Sequence, residues 1–465
     1  MEDAKISRKS HKFGSFSARS RVTVLIFAAL TVCVGCANPV TDGAAHSSLP
    51  AKNASTANVK PAIPASGDIL VAGGATGTDA SFQSLASAEF FDPSQGKFIV
   101  TGWMGSSRAI EAIAPISSSK LIVAGGATGS AGISQFTLGV QGTVLGNSEI
   151  FDESTGAFSP GAAMTSMRAG YTATTLKNGK VLIAGGIDAA VNILDTAEIY
   201  DPANGKFSPV ANTMTDHRVL HTATLLLNGK VLIAGGVTNL SGVASNSADL
   251  YDPTTNSFTQ AIHAMDHERA GHTATLLTGG PLAGNVLIAG GGGGSGFFLK
   301  DSTAEIFDTN SQQFVLLDSF LNEARSLHTA TLLDNGTVLI AGGFNGSVAV
   351  TGGMLSGAVG SISNSAEIFD PSTLTFSCVG GFNSATMRCA PGLSDARAAH
   401  TATLMTSGPL QHQVLIAGGI GGSDPDAPGH PLASADLFNP AGGGSFTKTG
   451  SMSAPRALHS AALLP

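Results

Sequence analysis

Residues 218–236 read RVLHTATLLLNGKVLIAGG, and after a variable stretch residues 248–258 read ADLYDPTTNSF. The passage divides into four strand-sized pieces. HTATLL alternates in character, as a half-buried strand does. VLIA is apolar at every position, the pattern of a strand covered on both faces. ADLYD is the third piece, and a short segment around Ser257 and Phe258 is the fourth. Asn228-Gly229 between the first two pieces is a tight-hairpin signal, because that turn needs positive φ at its centre. Asp252-Pro253 starts a turn after the third.

The same sentence is written seven times. Gly-Gly doublets begin at Gly73, Gly125, Gly185, Gly235, Gly290, Gly342 and Gly418. An acid follows at Glu89, Glu149, Glu198, Asp249, Glu305, Glu367 and Asp436, and an arginine recurs at Arg108, Arg168, Arg218, Arg269, Arg325, Arg397 and Arg456. A repeat of roughly fifty residues, built of four antiparallel strands, is the signature of propeller blades. The repeat begins at its second strand (GDILVAGG, 67–74) and stops after its first (RALHSAALLP, 456–465). Each end is an incomplete blade, and together they make one, which would hide the edges of an open array. The sequence therefore predicts an all-β fold: a seven-bladed β-propeller of four-stranded antiparallel blades over 66–465, closed by pairing of the C-terminal strand with the N-terminal blade.

Composition agrees. The 465 residues are 43% hydrophobic and 12% charged, which argues against a disordered chain. Lys+Arg 24 against Asp+Glu 32 gives −8, the wrong balance for a nucleic-acid partner. The 59 glycines follow no three-residue period.

The order of arginine, first strand, apolar strand ending in Gly-Gly, acid-x-aromatic-Asp-Pro and aromatic strand resembles the kelch repeat over essentially all of 66–465. The fourth strand carries Phe98, Phe158, Phe207, Phe258, Phe314, Phe376 and Phe446 where that family often has Trp, and Ile/Val-Ala precedes Gly-Gly where an aromatic is often seen. The lettering is most similar to bacterial relatives of the galactose oxidase propeller. That resemblance implies a rigid ring that holds a partner with its loops, or, as the alternative, a copper-radical oxidase or other carbohydrate-active enzyme. Copper-radical chemistry needs a cysteine-linked tyrosine, a second tyrosine and two histidines on the axis. The chain offers only Tyr171, Tyr200 and Tyr251, and fold alone does not carry an activity. We expect no catalysis, no cofactor and no metal.

The repeated residues read as structural. His221, His272, His328, His400 and His459 share one strand position, with Tyr171 in the same slot. Ligands of one ion must converge, whereas blades fan apart. Each arginine, including Arg168, Arg218, Arg269, Arg325, Arg397 and Arg456, is expected to bond a carboxylate or carbonyl at a blade junction, where a partner offsets desolvation. The doublets Gly185-Gly186, Gly235-Gly236 and Gly342-Gly343 end strands and precede no helix, so they are not phosphate cradles. Residues 290–294, five consecutive glycines, read as a mobile loop.

The N-terminus reads as an address. Six basic residues fall within 1–21, followed by the apolar run VTVLIFAALTVCVG (22–35) and Cys36. This is a secretory signal, and the run is short for a spanning helix. Residues 33–36 (CVGC) resemble a bacterial lipobox, with Cys33 where Leu is usual, which implies lipidation of Cys36. We assign 1–36 as signal and 37–65, rich in Ala, Ser, Asn and Pro, as a flexible tether. Cys378 and Cys389 share one loop and are expected to pair in an oxidising compartment. The expected setting is periplasmic or cell-surface.

Strand direction sorts the loops onto two faces. First-to-second and third-to-fourth turns share one; second-to-third loops and blade-to-blade links share the other. We expect every long insertion on the second face: 75–87, 127–147, 187–196, 237–247, 292–303, 344–365, 377–396 and 420–434. Variable loops on a rigid scaffold are where binding resides. Two clusters stand out there: Asp216 with His217, and His263 with Asp266, His267 and Glu268; they could hold a divalent ion between adjacent blades, but polar surface loops are the preferred reading. Asp424, Asp426 and His430 are a second candidate, for calcium or a glycan hydroxyl. The expected partner is an envelope or extracellular protein or a glycan, met by a monomer anchored to a membrane.

Overall fold

The computed structural model describes residues 61–464 apart from 79–80, 135–136, 295–296, 352–353 and 423–428. Cys36, the signal segment, the tether up to residue 60, Asp424 and Asp426 lie outside the described residues.

The fold is a β-propeller. Among the described residues seven four-stranded antiparallel sheets follow one another as blades, the third formed by Thr172–Thr175, Val181–Ala184, Ala197–Asp201 and Lys206–Pro209. The first blade is composite. Ile69–Ala72 pairs with Ser81–Asp92 on one side and with the C-terminal Ser460–Leu463 on the other, Ile69 facing Leu463 and Ala72 facing Ser460. First strands of neighbouring blades touch in cyclic order, Ser460–Leu463 lying between those of the seventh and second blades.

The core lies between blades. In Val181–Ala184 every residue is buried, and the two-residue period of a strand splits them. Val181 and Ile183 pack on Ala114, Ile122 and Ala124 of the second blade. Leu182 and Ala184 pack on Val231, Ile233 and Tyr251 of the fourth. Each valine, leucine or isoleucine among them contributes about 1.5–3 kcal/mol by burial. The seam between the chain's ends is filled in the same way, by Leu415 and Ala417 against Ile69, Val71 and Phe91.

Each fourth-strand phenylalanine meets the third-strand aromatic of its own blade. Phe91–Phe98 and Tyr200–Phe207 are two of seven such pairs, all tilted, with centroids 5.2 and 4.9 Å apart. That geometry suits the ring quadrupoles.

Three expectations are corrected. Residues 290–294 are not a free loop, because Gly292 and Gly293 pair with Lys300 and Leu299. The long insertions are largely strands: Ala127–Ser134 with Thr137–Val144, and Phe344–Thr351 with Met354–Ile362, are hairpins. The long connections are also not confined to one face, since 277–285 and 405–413 join first to second strands. The tether settles on the propeller before residue 66, as Ala62 accepts a hydrogen bond from Thr101 Oγ1 at 2.9 Å.

Candidate functional site

The long-loop face is built on a repeated anchor. Arg218 Nη1 donates to the carbonyls of Gly235 and Ser247, and Nη2 to Ser247 Oγ and Asp249 Oδ2 at 2.7 Å. All seven arginines are fully buried and each bonds the acid of its own blade. The acid also holds the incoming link: Glu198 accepts from the amides of Thr165 and Ser166. The junction itself is crossed by main chain, Gly186 N–H donating to Arg218 O at 2.8 Å. The side chain thus braces its own blade while its carbonyl holds the blade before it.

The glycines are required at that crossing. A Cβ on Gly185 would lie 2.6 Å from Arg218 O and 2.7 Å from His221 Cε1, and its φ is +66°. His221 in turn places Nε2 3.0 Å from Thr172 Oγ1 of the preceding blade. His272, His328, His400 and His459 repeat this against Thr222, Thr273, Thr329 and Thr401. The histidines are therefore interblade fillers spread around the ring. Glu111 stands in the same slot of the second blade, buried, with neither carboxyl oxygen hydrogen-bonded. It follows Arg108 at the spacing at which His221 follows Arg218, and that spacing was the signal that would have found it.

Around the axis runs a main-chain collar that the sequence did not reveal. Two residues after each arginine φ is positive: Ile110, Leu220, Leu327, Ala399 and Leu458, with Gly170 and Gly271 completing the set. Their amides form a blade-to-blade relay, Gly170 to Ile110, Ile110 to Leu458, Leu458 to Ala399, Ala399 to Leu327, Leu327 to Gly271 and Gly271 to Leu220. Left-handed backbone at a non-glycine residue costs roughly 1–2 kcal/mol, and the gained bonds offset it.

Above the collar, five consecutive blades, the fifth through the seventh and then the first and second, carry added strands. Ala75–Thr78, Ser81–Asp92, Ala127–Ser134 and Thr137–Val144 form one sheet. Gly292–Gly293, Phe297–Lys300, Phe344–Thr351 and Met354–Ile362 form another. The two sheets touch where Thr137–Val144 meets Met354–Ile362. The hairpin sequences 127–144 and 344–362 contain no charged residue and no histidine. On the third and fourth blades the connections are short, and Ile187, Val191, Ile193, Val237 and Ala244 pack there in an apolar cluster with Val144.

The rim acids and histidines do not converge. Asp216 Oδ2 accepts from Ser245 and Ser247 hydroxyls at 2.6 Å. His217 Nδ1 lies 3.9 Å from Asp195, and His267 Nδ1 lies 3.2 Å from Asp301. His263 turns to Gln313. Asp266 donates its amide to Glu305, and Glu268 lies beside Gly293. Among the described residues no three His, Cys, Asp or Glu side chains are placed to hold one ion. Each residue serves its own link. Cys378 and Cys389 form a disulfide that closes a small hairpin, and the Cys389 amide donates to Glu323 Oε1 at 3.1 Å.

Comparison with known proteins agrees with this geometry. The Kelch motif family model matches residues 167–214 and 218–261, the third and fourth blades. The solved structure of YjhT superposes with a TM-score of 0.50 at 13% identity, over 73% of this chain and 97% of that one. At that identity the likeness is one of fold. No curated protein matches the chain. Seven copies of the arginine, glycine-doublet and acid anchor on four-stranded blades, with these likenesses, make the chain a kelch-repeat β-propeller protein.

Proposed function

We propose that the protein is an exported, non-catalytic binding module, lipid-anchored through Cys36, that recognises an envelope or extracellular protein or a glycan with its long-loop face. One observation carries the reading. Ile69 begins the second strand of its blade, so the chain arrives on the short-turn face, while the added sheets stand on the opposite one. An anchor upstream of residue 61 would therefore present the elaborated face away from the membrane. The Cys378–Cys389 disulfide is consistent with an extracytoplasmic setting, and no helix among the described residues is long and apolar enough to cross a membrane.

The groups a copper-radical oxidase would need are engaged in packing. Tyr171 Oη donates to Ala124 O, Tyr251 Oη to Asn256 Oδ1 at 2.9 Å, and Tyr200 packs at a tilt on Phe207. The test is capture of envelope proteins and glycans by the purified full chain and by a variant whose hairpins 127–144 and 344–362 are replaced by short turns. Loss of capture in the variant, with melting unchanged, is expected. Capture that survives the replacement, or oxidase turnover with bound copper, would overturn the reading.

A further inference from the structure

The short-turn face carries a cavity of about 600 Å³ at the seam between the first and seventh blades. Its walls come from three places: the entering segment 62–68, the outer part of the first blade, and Ser407–Pro409 in a turn of the seventh. Ala62, Ile63, Phe90, Ile99 and Pro409 make most of it apolar, and Asp68 and Asp92 are its charged members. Among the described residues no Lys, Arg or His lines it. That size and a mainly apolar wall with few polar groups are usual for small-molecule sites.

The two carboxylates differ in kind. Asp92 is consumed by its own turn, Oδ1 accepting from the amide and hydroxyl of Ser94 and Oδ2 from Gln95 Nε2. Asp68 is only 5% exposed. Its Oδ2 accepts from the Ala65 amide at 2.8 Å, and its Oδ1 takes no hydrogen bond from the described residues. Burial, with Asp92 nearby, pushes Asp68 up to about 6 against the pull of the Ala65 bond. Among the described residues this carboxylate meets no counter-charge, which its burial calls for.

We propose that this cavity binds a small organic cation, an ammonium group on an alkyl or aryl body, with Asp68 Oδ1 as its counter-ion and the apolar wall holding the body. The site is separate from the long-loop face and does not depend on that face's partner. Phenethylammonium chloride and its neutral analogue 2-phenylethanol, titrated calorimetrically into the purified full chain at pH 7.5, test it. Saturable binding of the ammonium is expected, with the alcohol and the Asp68→Asn variant each weaker by about tenfold or more. Ile99→Trp, which keeps both carboxylates and fills the space, should also abolish it, while the hairpin-shortened variant binds as the native chain does. Absence of saturable ammonium binding, equal binding of the alcohol, or retention by Asp68→Asn overturns the proposal.

Discussion

Arg456 and Glu89 stand 367 residues apart in the chain, yet Nη2 of one donates to Oε1 of the other at 2.7 Å. Arg456 also donates to the carbonyls of Gly73 and Ser87. The same anchor that braces each blade here ties the last strand to the first. Arg456→Ala leaves Glu89 buried without its partner, which costs about 3–5 kcal/mol. A lowered melting temperature is expected, with faster amide exchange in Ile69–Ala72 and Ser460–Leu463. Arg269→Ala should cost as much but leave exchange at the ends unchanged. An unchanged melt in either variant refutes the role given to the arginines.

Two glycines separate steric need from backbone need. Gly179 and Gly185 both have positive φ, +79° and +66°. A Cβ on Gly179 meets nothing within 4 Å, whereas one on Gly185 strikes Arg218 O and His221 Cε1. Gly179→Ala should cost about 1–2 kcal/mol, from conformation alone. Gly185→Ala should cost that and about 1–3 kcal/mol more from overpacking. Denaturant midpoints measure both, and equal values would contradict the crossing described here.

Glu111 makes the alkaline side of the stability profile distinctive. Burial pushes its carboxyl up to about 8, softened by Arg108 and Arg456, and Tyr171 is the other titratable group facing it. The folded chain keeps a proton that the unfolded chain releases near 4.5. Stability contributed by this group is present below 4.5 and is lost as pH rises through about 8. Glu111→Gln removes the charge and should flatten the profile in that window, gaining on the order of a few kcal/mol at pH 8. Glu111→His installs the side chain that five other blades use in that slot. Urea midpoints from pH 4.5 to 9 decide it, and a native-minus-variant difference independent of pH would sink the assignment.

The blades were legible because each strand obeys a local rule. VLIA is apolar throughout since it is covered on both sides, and Asn178-Gly179 marks a turn whose backbone demands it. The arginines were legible as buried partners because a charge written once per blade must be neutralised once per blade. What was hidden depends on through-space closure. Nothing local at Leu220 or Leu327 announces positive φ; the collar exists because the amides of neighbouring blades reach each other. The rim sequences read as loops since Gly, Ser and Ala carry no strand period, and they became strands only by pairing in hairpins and across blades. Asp216 and Asp266 looked like ligands because sequence shows residue types together but not the hydroxyls and amides that occupy them. Asp68 was passed over because its isolation is set by the turn of another blade.

The histidine slot governs the acid side. His221, His328 and His459 are lowered to about 3, by burial first and then by the nearby arginines, and His272 and His400 fall well below their usual value for the same causes. All five are therefore neutral in the folded chain at neutral pH, while in the unfolded chain they accept protons near 6.5. A lowered folded value means stability fully present above about 6.5 and lost as pH falls toward 3. Protonation would place a cation at a buried contact between blades, 2.9–3.0 Å from a threonine hydroxyl. His328→Gln offers the threonine a similar partner without a titrating nitrogen. Its stability should fall less steeply between pH 6 and 4 than that of the native chain, by roughly one proton's share of the slope. The rest of the chain is the same in both proteins, so the difference isolates the histidine. Because Glu111 and His328 belong to different blades and share no partner, the double variant should show both changes additively. Parallel acid limbs for the native chain and His328→Gln would show that the ring is protonated in the folded state.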